Sequence, residues 1–430
     1  MSAKEAIVFP LPSPYAMQCT VTNDNGDKET VTVVIVPTSF TRKDAFTWQI
    51  GYSCVPAATM IRTENGYKGI ENIREGQSVL AYNLNGQIAS REVTRTFKRP
   101  FNDAIYRIKP LRLPSLRLTP EHPILVKLYK HVSTRGSYRT EVSDPVWLTA
   151  ENVFQLHHFL RNNMGICVAK PFLEDEKDIE ELNEKNLKIL GWYMAEGSYA
   201  SHRGHLTGIR LTLSSKERPV AEELTEIIRE EFNANPRIDN CVDSRTNSTY
   251  IHLNVQKVAL AKFIRKWCAG KKARVKKFNH AILSLPRWKQ KILIDALMLG
   301  DGTYSTRDNA RILGTSSRRL SLQVLEILMR LGVAPSYSSG LWKGGFSTER
   351  KPFFAVGEYP GRKFIIRDKS AIWTPIRKID RVHYSGYVYN LAVTKEQNYI
   401  TESFLIHNCS RGRGCKCEEC TYSYKPRNLR

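Results

Sequence analysis

Hydrophobic positions along the chain fall into two textures. From Cys54 to about residue 170 they form short runs separated by turn residues. Val79-Leu80-Ala81-Tyr82 and Ile105-Tyr106-Arg107-Ile108 are typical runs, and Gly66, Gly69, Gly76 and Asn85-Gly86 punctuate them. This pattern predicts many short strands and an all-β domain. From Glu174 to Glu184 the chain is acidic and loop-like, and from Asn186 onward the spacing of apolar residues becomes helical. Near Ile376 the β texture returns in Tyr387-Val388-Tyr389-Asn390-Leu391-Ala392-Val393 and Asn398-Tyr399-Ile400-Thr401. The simplest organisation is one all-β domain interrupted by a helical one, since surface loops tolerate such insertions. Residues 1–53 read as a separate β-rich piece, with a strand over Glu29–Val36 after the turn-forming Asn23-Asp24-Asn25-Gly26.

The interrupting segment repeats. Leu190-Gly191-Trp192-Tyr193-Met194-Ala195-Glu196-Gly197-Ser198-Tyr199 aligns with Asp295-Ala296-Leu297-Met298-Leu299-Gly300-Asp301-Gly302-Thr303-Tyr304, so that Glu196 falls on Asp301. Each copy continues into a strand and then a helix, at 218–232 and 318–331. The first helix of each copy is apolar almost all round, which predicts burial. Small residues four apart form a stripe along which two helix backbones approach closely. A glycine after each acid predicts a left-handed helix cap. Such a pair brings Glu196 and Asp301 together at two helix C-termini, where the carboxylates repel each other and meet the negative ends of both helix dipoles. A divalent cation reverses the sign of that problem, and oxygen ligands beside a phosphate substrate point to Mg²⁺. The bland alternative is a buried helix pair whose acids merely end it.

Composition narrows the partner. At 430 residues, with 41% hydrophobic and 25% charged positions, the chain has the make-up of a globular protein of several domains. No segment approaches the ~20 consecutive apolar residues of a membrane span. The N-terminus lacks the basic start and apolar core of a secretion signal, so we expect a cytoplasmic protein without membrane partners. In that compartment its nine cysteines are thiols or metal ligands rather than disulfides. The net charge is +23, and Lys257 to Lys291 is rich in Lys and Arg without a single Asp or Glu. That excess favours a polyanion, most simply nucleic acid. The tail cysteines Cys409, Cys415, Cys417 and Cys420 make a candidate zinc site.

His407-Asn408-Cys409 carries a different chemistry. An Asn side-chain amide can attack its own carbonyl and cut the backbone, and a preceding His can supply the proton that the departing amine needs. By itself the tripeptide is half a reaction.

The two acid-tipped helices resemble the signature helices of the LAGLIDADG homing endonucleases, over about residues 185–370. That resemblance implies an α+β domain of two pseudo-symmetric αββαββα-type halves that saddles double-stranded DNA, with Glu196 and Asp301 binding Mg²⁺ at the site of cleavage. Lys257 and Lys363 are candidates for assisting basic groups. The surrounding β texture resembles an intein, a Hint-type splicing domain of horseshoe-like form. Cys54-Val-Pro-Ala-Ala-Thr-Met-Ile-Arg-Thr-Glu-Asn-Gly66 resembles its opening block and Leu118-Thr119-Pro120-Glu121-His122 its Thr-x-x-His block. Val388–Val393 resembles a later block, and Ile406-His407-Asn408 before Cys409 its terminal block.

The resemblance implies that Cys54 attacks the Ser53 carbonyl. Thr119 and His122 polarise that carbonyl and protonate the amine, Cys409 takes over the acyl group, and Asn408 cyclises with help from His407; none of this needs a cofactor. The expected layout is a host segment 1–53, splicing domain 54–170, endonuclease 171–370, splicing domain 371–408 and host segment 409–430. The excised 54–408 piece would act as a monomer on the intein-free host gene. Two departures stand out: Asn390 where an acid or Cys is usual, and Gln397 where His is frequent, which implies slow or altered coupling of the splicing steps. The rivals are a site-specific DNA endonuclease whose β domain only binds DNA, and a DNA-binding protein with a degenerate nuclease site and no splicing.

Overall fold

The computed structural model describes residues 15–22, 28–35, 53–83, 85–134, 137–160, 163–342, 349–359, 366–368 and 370–408. Cys409 and the candidate zinc ligands Cys415, Cys417 and Cys420 lie outside them. Before residue 53, Tyr15–Thr22 and Lys28–Ile35 pair antiparallel, which contains most of the predicted strand.

Two 23-residue strands, Ile88–Pro110 and Ala371–Val393, run antiparallel over nearly their whole length. They form the spine of a 14-stranded sheet. One comes from each side of the interruption, so the β domain is a single body made of two distant stretches of chain. The chain leaves this sheet through Met164–Pro171, which pairs with Ala371–Val393, and rejoins it at Ile366–Arg367 on the same partner. Residues two apart share a face of a strand. Ile124 and Val126 thereby join Tyr106, Ile108, Leu118, Val168, Leu391 and Ile406 in one core. Gly76 and Gly86 take φ of +78° and +82°, as turn residues do.

The domain built on the large sheet is not purely β. Helix α1 (Ala150–Phe159) starts at Thr149, whose side chain accepts from the Asn152 N–H at 3.1 Å. It buries Val153 and Leu156. The capping Thr and the three-residue apolar spacing were its signals, in a run too short to stand out.

The interrupting domain has α2 (Glu184–Glu196), α3 (Arg218–Phe232), α4 (Val258–Trp267), α5 (Arg287–Asp301) and α6 (Arg318–Arg330). The first half runs α2, two strands, α3, two strands, α4; the second runs α5, two strands, α6, two strands. Each half makes a four-stranded sheet in the same order, with its third strand at the edge beside the fourth. Among the described residues the second half has no closing helix, because the chain after Lys351–Glu358 returns to the large sheet. The αββαββα description therefore fits the first half, and the second is shorter by one element.

Helices α2 and α5 pack backbone to backbone. A Cβ on Gly191 would lie 2.5 Å from the Ala296 Cβ, and one on Gly300 would lie 2.6 Å from the Ala195 Cβ. The glycines after the acids are not left-handed caps. Gly197 and Gly302 both have φ of −85°, with ψ of 148° and 138°. Each helix passes directly into an extended strand, and glycine is required there by crowding: a Cβ would meet Tyr193 O at 2.4 Å or Met298 O at 2.2 Å.

The two domains share buried polar contacts. Arg62 of the β domain pairs with Glu326 of α6 at 3.0 Å, and Tyr67 donates to the same carboxylate at 2.9 Å. Glu402 accepts from Arg318 Nε at 2.9 Å. On the β-domain side of these pairs, Lys170 donates to Thr401 O at 2.6 Å and to the Tyr67 hydroxyl at 3.3 Å. Met60, Tyr67, Leu113 and Ile372 of the β domain also belong to the inserted domain's hydrophobic core. Among the described residues, no helix is long and apolar enough to cross a membrane.

Candidate active sites at the chain junctions and between two helices

The upstream junction lies at the start of the large sheet, where Val55–Pro56 pairs with Tyr389 and Val388. Cys54 is buried and in no disulfide. The Ser53–Cys54 peptide bond is held at both polar atoms. Its N–H donates to Thr119 Oγ1 at 2.9 Å, and its carbonyl oxygen accepts from Asn390 Nδ2. Thr119 N–H in turn donates to Cys54 O at 3.0 Å. Thr119 therefore grips the amine side of the bond.

His122 is fully buried, and its Nε2 lies 3.1 Å from the His407 carbonyl oxygen. That oxygen only accepts, so Nε2 carries the proton in this hydrogen bond and Nδ1 is left as a lone pair. Nδ1 has no hydrogen-bond partner. Burial pushes the His122 pKa down to about 3, and the nearby backbone of Cys54 opposes this only in part. His122 is neutral at physiological pH and joins the upstream block to the downstream one.

At the downstream junction His407 Nδ1 lies 2.9 Å from the Asn408 carbonyl oxygen, the carbonyl that Asn408 would attack. Burial lowers the pKa of His407 too, and the edge of Trp147 packs against its ring with centroids 5.1 Å apart. Asn408 is held by its N–H to Gln397 O at 2.8 Å and by Nδ2 to Val393 O at 3.2 Å. Its Oδ1 is buried without a partner. Gln397 serves here through its main chain, in a left-handed conformation with φ of +52°. The structure thus gathers Cys54, Thr119, His122, His407 and Asn408 into one buried cluster, whereas the sixth residue, Cys409, lies outside the described residues. Asn390 joins them. The sequence marked it only as a departure from the usual residue.

The second site lies where α2 and α5 end. Glu196 and Asp301 follow the two crossing stripes of small residues. Burial pushes Glu196 up to about 7, with the Asp301 charge adding to the shift, and burial pushes Asp301 up to about 6. Asp301 is nevertheless open to solvent on one side. Two carboxylates disfavoured as anions, with water access, fit a site that takes a divalent cation.

Lys276 lies beside them. Its Nζ donates to the Met194 carbonyl at 2.9 Å and to Tyr193 O at 3.2 Å, capping α2; burial lowers its pKa, and the charges of Asp301 and Glu196 oppose this only in part. It comes from the basic run, and its place next to the acids is set by tertiary structure. Lys257 instead donates to Asn233 O at 3.0 Å, and Lys363 lies outside the described residues.

Part of the basic run is neutralised within the molecule. Lys266 pairs with Glu181, Arg287 with Glu174, and Lys289 with Asp178. The acidic stretch of the sequence is thus its counterpart. Lys271, Lys272 and Arg274 remain exposed. The outer face of the first four-stranded sheet carries Arg210, Thr212, His252 and Asn254 above buried Ile209, Leu211 and Leu213. Arg210 donates to Asn254 at 2.7 Å across it.

A model of the intein splicing domain matches residues 60–408. An uncharacterized protein of Methanocaldococcus jannaschii is 24% identical over 416 residues, covering 83% of this chain and 50% of that protein. The ATP-dependent DNA helicase Hel308 of Thermococcus kodakarensis is 23% identical over 418 residues, covering 83% of this chain and 36% of the helicase. The chain therefore spans half or less of the length of these relatives. Among solved structures, variants of the homing endonuclease I-DmoI show 14% identity over 42% of this chain and 91% of theirs, with a TM-score of 0.30. A bacterial intein-like domain from Clostridium thermocellum shows 22% identity over 26% of this chain and 83% of its own, with a TM-score of 0.16.

Proposed function

The chain belongs to the intein splicing domain family, and on that premise we propose that it is a self-splicing precursor that releases residues 54–408 and joins its two flanks. The observation that carries this reading is the buried cluster at both junctions: Thr119 holds the Cys54 N–H, while His122 binds the His407 carbonyl. In the first step the Cys54 sulfur bonds to the Ser53 carbonyl carbon and the Ser53–Cys54 C–N bond breaks. The thiol proton ends on the Cys54 amine, leaving a thioester. Cys409 then attacks that thioester and Cys54 leaves as a thiol. Asn408 Nδ2 attacks its own carbonyl carbon and expels the Cys409 amine, and the released piece ends in a succinimide. His407 would donate Nδ1–H to that carbonyl as it gains charge, which their 2.9 Å contact supports. A final S-to-N shift restores an ordinary peptide bond. Proximity stands in for ionisation here, because a thiol with a pKa of about 8.5 is mostly protonated at neutral pH.

The inserted domain is proposed to be a double-strand DNA endonuclease. Its support is the pair of carboxylates at apposed helix ends, beneath two sheets of like topology. Glu196 and Asp301 would hold a divalent cation, Mg²⁺ by the chemistry of its oxygen ligands, which when bound supplies charge stabilisation at a scissile phosphate and a more acidic water. Lys276 holds the end of α2 and brings an amine beside the site. The polar face bearing Arg210, His252 and Asn254 presents donors and acceptors of the kind that read base edges.

Intact mass spectrometry of the expressed chain tests splicing. A mass equal to residues 54–408 and a joined flank product are expected. A full-length chain that persists, and that Cys54→Ala leaves unchanged, would favour a DNA enzyme or DNA-binding protein without splicing. Cleavage of DNA carrying the uninterrupted junction, dependent on divalent cation and lost in Glu196→Gln and Asp301→Asn, tests the nuclease.

A further inference from the structure

Asn390 lies fully buried on the strand Ala371–Val393. Its Nδ2 donates to the Ser53 carbonyl oxygen, and reaches Ser53 Oγ at 3.1 Å. Its Oδ1 accepts from the Leu391 N–H at 2.7 Å and from the Tyr399 hydroxyl at 2.6 Å. A backbone N–H only donates, so the Leu391 contact fixes which end of the amide is oxygen and leaves Nδ2 facing Ser53. Tyr399 is itself fully buried, so the amide cannot turn without breaking contacts on its far side.

The Ser53 oxygen is the atom that gains negative charge when the Cys54 sulfur adds to the carbonyl carbon. A donor fixed on it in the ground state, away from water, strengthens as that charge develops and needs no reorganisation. Thr119 grips the other polar atom of the same peptide bond. Resting on the splicing reading above, we infer that Asn390 is a catalytic residue of the first acyl shift, supplying the oxyanion donor for the Ser53 carbonyl, with Tyr399 as its positioning residue. An amide does not titrate, so this donor keeps its strength at every working pH. It also has no proton to give up, so the proton for the departing amine comes from elsewhere in the cluster. The residue that reads as a loss by sequence is a substitution of one kind of help for another.

The test uses the full chain carrying Asn408→Ala and Cys409→Ala, so that only the first step runs, with dithiothreitol added to trap the thioester by cleavage after Ser53. Asn390→Ala is expected to slow trapping about 10²-fold, as loss of an oxyanion donor does elsewhere. Trapping at the parent rate overturns the inference. Cleavage after Asn408, read in a chain carrying Cys54→Ala, reports folding and is expected to persist in Asn390→Ala. If it is lost as well, Asn390→Asp decides. A protonated Asp can donate and an ionised one cannot, so its trapping rate, relative to the parent at each pH, should rise as pH falls, and a flat ratio overturns the role. Tyr399→Phe should show a smaller loss than Asn390→Ala. Failure of the splicing reading looks different: the parent itself then gives no trapped product at any pH.

Discussion

Replacing Gly191 by Ala sets two known effects against each other at one position. In an ordinary helix the change stabilises by about 1 kcal/mol through backbone propensity. Here the new Cβ would lie 2.5 Å from the Ala296 Cβ, 2.8 Å from Leu293 O and 3.0 Å from Leu297 N. Non-bonded carbons sit at about 3.5–4.0 Å, so α2 and α5 must separate by roughly 1 Å. Two of the three obstacles are backbone atoms, which no rotamer change can move aside. Overpacking of this kind costs about 1–3 kcal/mol, and its rigid neighbours place this site at the upper end. The net expectation is destabilisation by about 1–2 kcal/mol once the propensity gain is subtracted. The measurement is urea unfolding of the chain held unspliced by Cys54→Ala and Asn408→Ala. Gly340→Ala is the control, because a Cβ there meets nothing within 4 Å, and its effect should stay within about 0.5 kcal/mol. An unfolding midpoint for Gly191→Ala at or above that of the parent would refute the close approach of the two helices.

Three further outcomes follow from the same geometry. Glu196 and Asp301 have pKa values raised to about 7 and about 6, so the folded chain binds more protons than the unfolded one between the usual carboxylate range and about pH 7. Their contribution to stability is therefore lost as pH rises through that window. In chelator at pH 7.5, Glu196→Gln should melt above the parent, and added Mg²⁺ should narrow the gap; an unchanged melting temperature would contradict it. Arg62→Met removes the ion-pair partner of the buried Glu326 carboxylate, leaving it the Tyr67 hydroxyl and the nearby Lys170 charge, and should cost about 3–5 kcal/mol by denaturant titration, whereas Arg62→Met with Glu326→Leu should recover much of it. His407→Ala should slow cleavage after Asn408 by about 10²-fold or more while leaving thioester trapping after Ser53; equal loss at both junctions would deny it a separate role.

Much of this architecture was legible because it rests on local rules. The repeat in Gly191-Ala195 and Ala296-Gly300 forecast a close helix pair, since helical period and side-chain size are written in order along the chain. The return of the β texture near Ile376 likewise forecast one domain in two pieces. What failed depended on where the chain goes next. Gly197 and Gly302 look like left-handed caps until the following strand is seen to start at once. Helix α1 hid among strands because ten residues give little periodicity. Lys276 and Asn390 were not identified as site residues because their partners are 82 and 337 positions away, and no spacing rule reaches that far.

The seam between the two domains has an evolutionary consequence. An inserted domain tethered only by its chain ends could be deleted without harm to the domain around it. This one is packed into its carrier. Point changes at Glu326 or Arg318 strand Arg62 or Glu402 as charges inside the seam. Removal of the whole insert strips the cover from Met60, Tyr67, Leu113 and Ile372, exposing apolar side chains of the kind that drive aggregation. The insert thus serves as scaffolding for the domain that carries it. If the proposed splicing is what selection keeps, it would preserve the body of the insert even where Glu196 and Asp301 were lost.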